Sequence, residues 1–272
     1  MLDHIRSALF LPASNPRAIE KARGLTCDMV ILDLEDAVAD TDKDAARNAA
    51  VTAADGQWGD RLFAVRLNGP GPAHEADMAA LSGASAIDLV VIPKVETPEY
   101  VEALSARLAK PLLAMIETPA GVYAAREIAG VGGVVGLLAG SNDLAASLNV
   151  AGDREGLTLA LQSIVLAARA AGIAVLDGVF NRLDDAAAFE ADCEAGRRSG
   201  FDGKSLIHPN QIEAANRIFG PSEIELEDAR ALIEAATGGA ERFRGRMIEG
   251  MHVDSARRTL KRAGAALLPR AP

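Results

Sequence analysis

The stretch LLAMIETPAGVYAAREIAGVGGVVGLLAGSND, residues 112–143, holds the pattern that decides the fold. LLAMI is an apolar run of strand length, Thr118 before Pro119 is a helix start, an Ala-rich segment of helical length follows, and VVGLLA is a second strand-length run. This is one strand-helix-strand unit. Two acidic residues, Glu117 and Asp143, stand just past its two strands.

The alternation continues outward in both directions. Candidate strands are Ile5–Leu11, Met29–Leu34, Leu62–Leu67, Leu89–Ile92, Leu112–Ile116, Val134–Ala139, Ile173–Leu176 and Lys204–Ile207. Further helix starts are marked by Asn15 before Pro16, Thr41 with Asp44 in capping-box spacing, and Thr97 before Pro98. Eight strand-helix units predict an α/β fold, a closed parallel (β/α)8 TIM barrel over residues 1–220. Beyond it, Ser222 with Glu225 opens a helix to about Ala236, Gly238 and Gly239 interrupt the chain, and a last helix covers His252 to Ala263. Residues 221–272 therefore read as a helical extension that packs on the barrel or on a neighbouring subunit.

Composition agrees with one large α/β domain. Of 272 residues, 49% are hydrophobic but only 4% aromatic, which suits close helix-on-sheet layers better than an antiparallel sandwich. Cys27 and Cys193 have no partners at metal-ligand spacing and read as reduced thiols, which points to the cytoplasm. The opening MLDHIRSALF lacks a signal-peptide pattern, and the longest apolar runs fall far short of the roughly 20 residues a membrane helix needs. A formal net charge of −10 opposes general nucleic-acid binding. Arg242, Arg244, Arg246, Arg257, Arg258, Lys261 and Arg262 form the densest basic stretch, read either as a solvated helix face or as a patch for a polyanionic cofactor.

In a TIM barrel the active site forms where the strands end, so polar residues at those ends carry weight. They are Asp33 with Glu35 and Asp36, then Arg66, Lys94, Glu117, Asp143, Asp177 and His208. Carboxylates dominate, and such a cluster repels itself unless a cation balances it. Glu117 and Asp143 lie on adjacent strand ends, where two carboxylates can share one divalent cation; the bland reading is that each caps a helix. Glu96, in VETP, echoes the IETP around Glu117 but lies past its strand and reads as a loop residue.

Arg66 ends the apolar AVR, where a guanidinium meets either a substrate anion or a structural partner such as Asp33 or Glu35. Glu35 and Asp36 join it in the candidate catalytic set, holding waters or orienting Arg66. His208 and Asp177 read equally well as structural.

Seven further stretches then acquire meaning together: RSALFLPA at 6–13, ILDLEDAV at 31–38, VRLN at 65–68, IPK at 92–94, IET at 116–118, GSNDLA at 140–145 and GFDGKSLIHPNQI at 200–212. With FGPSEIELEDA at 219–229 they resemble the citrate lyase beta-subunit-like branch of the HpcH/HpaI aldolase superfamily over about residues 5–260. The resemblance implies a homotrimeric TIM barrel with Mg²⁺, replaceable by Mn²⁺, at Glu117 and Asp143. It implies substrate contacts from Arg66, Glu117, Gly140 and Ser141, and places Lys43 and Arg47 near a CoA thioester. Family members with CoA lyase activity carry a motif close to GKMVD, followed by Pro two residues on, whose Asp is a base reaching the neighbouring subunit's site. Here GRMIEGM at 245–251 puts Glu249 for that Asp and Met251 for the Pro.

The expected activity is Mg²⁺-dependent carbon-carbon cleavage of a 3-hydroxyacyl-CoA, of malyl-CoA or citramalyl-CoA type, to an acyl-CoA and a 2-oxo acid. Alternatives are a citryl-thioester lyase subunit of a citrate lyase complex, a thioester hydrolase or condensing enzyme on the same site, and a non-catalytic barrel that binds an acyl-CoA or keto acid.

Overall fold

In a computed structural model, which describes residue 2 and residues 4–151 and 154–267, the chain forms a barrel of eight parallel strands. These are β1 (Ser7–Pro12), β2 (Met29–Asp33), β3 (Leu62–Arg66), β4 (Leu89–Ile92), β5 (Leu112–Ile116), β6 (Val134–Ala139), β7 (Ala174–Asp177) and β8 (Gly203–Leu206). They pair in chain order, and β8 closes on β1 through Ser7↔Lys204, Ala8↔Ser205 and Leu9↔Leu206.

Period-two alternation sorts each strand between two cores. Ala8, Met29, Ile31, Leu62, Ala64 and Leu113 fill the barrel, while Val30, Leu32, Phe63, Val65, Leu112 and Ala114 pack under the helices. The helices are α1 (Pro16–Ala22), α2 (Lys43–Ala54), α3 (Pro72–Gly83), α4 (Pro98–Leu108), α5 (Pro119–Ala129), α6 (Ser141–Leu148), α7 (Arg154–Ala171), α8 (Ala186–Arg198) and α9 (Ile212–Phe219). Asn15, Thr97 and Thr118 each accept a hydrogen bond from a first-turn N–H, so these three expected caps form.

Several boundaries are corrected. Ile5 lies outside β1: its N–H bonds Leu2 O, and both side chains plug the bottom of the barrel. Ile173 closes the end of α7 by bonding Ala168 O, so β7 begins at Ala174. The Thr41–Asp44 box does not form, because Asp44 accepts from Arg47 and residues Asp40–Asp42 make a 3-10 turn ahead of α2.

After α9 come α10 (Glu223–Ala235), a hairpin of β9 (Glu241–Phe243) and β10 (Arg246–Ile248), and α11 (Gly250–Leu267). Ser222 and Glu225 form the expected capping box. The hairpin was not expected: its strands have three residues each, too short to show alternation, and its two-residue turn uses Arg244 and Gly245, both at positive φ. Arg242, Arg244 and Arg246 therefore lie on a hairpin, not a helix face. The last helix also runs past the expected His252–Ala263; residues 268–272 lie outside the described residues. α10, α11 and Ile248 share a small core, and Arg262 of α11 donates to Asp202 O at the start of β8, the end of the barrel away from the site. Among the described residues no helix is long and apolar enough to cross a membrane.

Candidate active site

Three inward rows carry the charge to the barrel mouth. In β2 the row is Met29, Ile31, Asp33; in β3 it is Leu62, Ala64, Arg66; in β5 it is Leu113 and Met115, continued by Glu117. Apolar residues fill the lower layers and ionisable groups the top layer, beneath a cavity of about 410 Å³. Asp33, Asp36, Arg66, Glu117 and Asp143 all line it, together with Gly140 and Ser141.

Arg66 is held by two parallel hydrogen bonds, from Nε to Asp33 Oδ1 and from Nη2 to Asp33 Oδ2, both 2.7 Å. Its Nη1 lies 3.1 Å from Glu35 Oε2, and its guanidinium stacks 5.1 Å over the Phe10 ring. Burial works against the charged guanidinium, but the bonds and charge of Asp33 outweigh it and raise the pKa. The structural partner expected for Arg66 is Asp33, and the side chain also lines the cavity.

Glu117 is 3% exposed and accepts a 2.6 Å hydrogen bond from the backbone N–H of Lys94. Burial pushes its carboxyl up to about 7; the Lys94 bond and Arg66 oppose the shift, while Glu35 and Asp143 add to it. Gly140 is glycine for a packing reason, since a Cβ there would stand 2.3 Å from Glu117 Cβ and 2.4 Å from Oε2. Asp143 sits in the first turn of α6, where the helix N-terminus favours negative charge. Its side chain is 41% exposed, and Lys94 Nζ lies 3.9 Å from it.

The donor set fits a divalent cation. Among the described residues, Asp33, Glu35, Asp36, Glu117 and Asp143 face only Arg66 and Lys94 as cations within contact distance, so negative charge is in excess. Among the described residues no three carboxylate, imidazole or thiol groups converge as a ready metal shell, so the protein would supply two ligands and leave the rest to water or substrate.

Other expected residues lie elsewhere. Lys43 is folded inward, its Nζ bonding Leu34 O, Glu35 O and Asn68 Oδ1. Arg47 is 8% exposed and bonds Asp77 at 2.7 Å; neither residue lines the cavity. Their cationic groups hold α2 and α3 to the β2 and β3 ends, a task set by Asn68 and Asp77 far along the chain. Glu249 is exposed on the extension and does not line its own chain's cavity. His208 is exposed and accepts from Asn210 N; Asp177 is buried in an ion cluster outside the barrel. Sequence reasoning passed over Phe10 and gave Lys94 no task. The signal for Phe10 was an aromatic residue in an otherwise aliphatic strand.

A closed (β/α)8 barrel whose mouth is acidic and suited to a divalent cation defines a TIM-barrel protein with its candidate site at the C-terminal ends of the strands. The chain belongs to the HpcH/HpaI aldolase/citrate lyase family, whose pattern matches residues 6–209. It is 42% identical over 271 residues, 96% of this chain and 95% of the other, to a protein of Cereibacter sphaeroides named (3S)-malyl-CoA thioesterase. Among solved structures it resembles CitE of Mycobacterium tuberculosis in complex with magnesium, acetoacetate and coenzyme A, with TM-score 0.81, 34% identity, and coverage of 95% of this chain and 97% of that one. A second CitE structure, in complex with magnesium and pyruvate, has TM-score 0.76 and 30% identity and covers 96% of this chain and 100% of that one.

Proposed function

We propose that this protein hydrolyses a 3-hydroxyacyl-CoA thioester of the malyl-CoA type, with Mg²⁺ or Mn²⁺ held by Glu117 and Asp143. The observation that carries this choice is the 42% identity, over nearly the whole chain, to a (3S)-malyl-CoA thioesterase. When bound, the cation would orient the substrate's carboxylate and hydroxyl oxygens and draw charge from them. Arg66, fixed in plane by Asp33, balances the substrate carboxylate. Glu35 and Asp36 hold the two cations of the mouth at their places. Gly140 lets the Glu117 carboxylate lie flat against the β6 end, and Ser141 shares that wall.

Glu249 serves as the base that takes a proton from the attacking water. It does not line its own chain's cavity, so this role requires the site of a neighbouring copy, and a homotrimer is taken as the working form. The buried free thiols Cys27 and Cys193 support a cytoplasmic location. Glu249→Gln is expected to lower turnover about 100-fold with metal affinity unchanged. Mixing it with Glu117→Gln should restore part of the activity under conditions that exchange subunits.

Carbon-carbon cleavage to an acyl-CoA and a 2-oxo acid is the second reading, favoured by the CitE complex with magnesium and pyruvate. One incubation separates the two. With (3S)-malyl-CoA and Mg²⁺, mass spectrometry should find malate and free CoA; acetyl-CoA with glyoxylate would assign the lyase reaction instead. Stabilisation by the thioester without either product pair would make the barrel a binding protein.

A further inference from the structure

Lys94 is the residue at the mouth whose geometry is least ordinary. It follows β4 and Pro93 with φ +50, a left-handed conformation that a lysine adopts at a cost of about 1 kcal/mol or more. That turn aims its N–H at Glu117 Oε1, 2.6 Å away, and starts its side chain back across the mouth. The ammonium spans three carboxylates from two different strand ends: Glu35 at 2.9 Å, Asp36 at 3.6 Å and Asp143 at 3.9 Å. Arg66 cannot take this place, because Asp33 holds two of its nitrogens.

We propose that the Lys94 ammonium is the resident counter-ion of this cluster, steadying Asp36 and Asp143 before a divalent cation arrives and giving up Asp143 to it. Lys94 is thereby a positioning residue that sets the affinity of the site. The inference rests on the metal reading of Glu117 and Asp143. A cation between those carboxylates would stand within a few ångströms of the ammonium, and like charges at that range repel. The side chain is 42% exposed on a flexible stem, so it can withdraw towards Glu35 and solvent without breaking a packed contact. The same exposure limits the repulsion to a moderate effect.

Mn²⁺ binding followed by electron paramagnetic resonance, which needs no substrate and no turnover, tests this directly. Lys94→Met is expected to bind Mn²⁺ about tenfold more tightly than the wild type. Lys94→Arg, which restores the charge, should return to within about twofold of it. If Lys94→Met does not fold, Lys94→Gly takes its place, since glycine is at ease at φ +50 and keeps the N–H to Glu117, and the same tightening is expected. Unchanged or weaker Mn²⁺ binding in the variants, with the wild type still binding, overturns the counter-ion role and leaves the metal reading standing. A wild type that binds no Mn²⁺ overturns both.

Discussion

Two ion clusters lie on opposite faces of the barrel wall, one inside at its mouth and one outside, between β7–β8 and the helix layer. In the outer cluster Lys204 and Arg154 face Asp177 and Asp192, at 3.0 and 2.6 Å for Lys204 and at 3.0 and 3.3 Å for Arg154. Cations and carboxylates balance there, and Lys204 and Asp177 are each 1% exposed. At the mouth, among the described residues, Asp33, Glu35, Asp36, Glu117 and Asp143 share only Arg66 and Lys94. A neutral buried cluster ties β7, β8, α7 and α8 together. At the mouth negative charge is in excess, and burial pushes the Glu117 carboxyl up to about 7, a setting that suits a divalent cation.

The sharpest way to break this comparison is Glu117→Gln. It should reduce metal-dependent turnover about 1000-fold, on the scale of a lost Lewis-acid site, while the thermal unfolding of the metal-free protein stays cooperative. Retained turnover after thorough chelation would remove the distinction between the clusters.

Lys204→Met probes the other side. Leaving Asp177 and Asp192 to Arg154 alone should lower unfolding free energy by about 3 kcal/mol, as when one partner of a buried pair is removed. Mn²⁺ affinity should not move. Denaturant titration and Mn²⁺ titration of the same sample give both numbers, and a stability loss accompanied by loss of metal binding would join the two clusters into one system.

Arg66→Lys comes next in size. A point ammonium cannot reproduce the fork on Asp33, and turnover should fall by about 2 kcal/mol, roughly 30-fold. Turnover near that of the wild type would confine Arg66 to its salt bridge.

The smallest effect is the pH dependence of the metal-free protein. Glu117 is raised from 4.5 to about 7 in the folded chain, so below 4.5 both folded and unfolded chains hold the proton and the group costs nothing. Between 4.5 and 7 the unfolded chain loses its proton first, and stability falls as pH rises; above 7 the loss is complete. That fall is expected to be absent in Glu117→Gln and reversed by saturating Mg²⁺. Parallel stability curves for wild type and variant would show that Glu117 is not strained by its burial.

Much of this was legible beforehand, for local reasons. Strand-length apolar runs alternating with capped helices announced the barrel, and Glu117 and Asp143 stood one strand-helix unit apart. The outer cluster was not legible. Asp33 and Asp177 both end apolar strands, yet one faces the cavity and the other the helix layer. Parallel barrel strands are buried on both faces, so AVLD and VILD read as continuous apolar runs whose inward parity is invisible. The internal partners of Lys43 and Arg47 were hidden for a related reason: Asn68 and Asp77, which accept their hydrogen bonds, lie 25 and 30 residues away in sequence.

By itself, then, the sequence determined the order of the barrel's strands and helices, the barrel they must close into, and which ionisable residues end the strands, because hydrophobic period and capping are properties of neighbouring residues. Only the tertiary structure decided which of those residues look inward, which cations are already taken, and that Lys94 bridges carboxylates from two strand ends. Those outcomes depend on distances that come into being when the barrel closes.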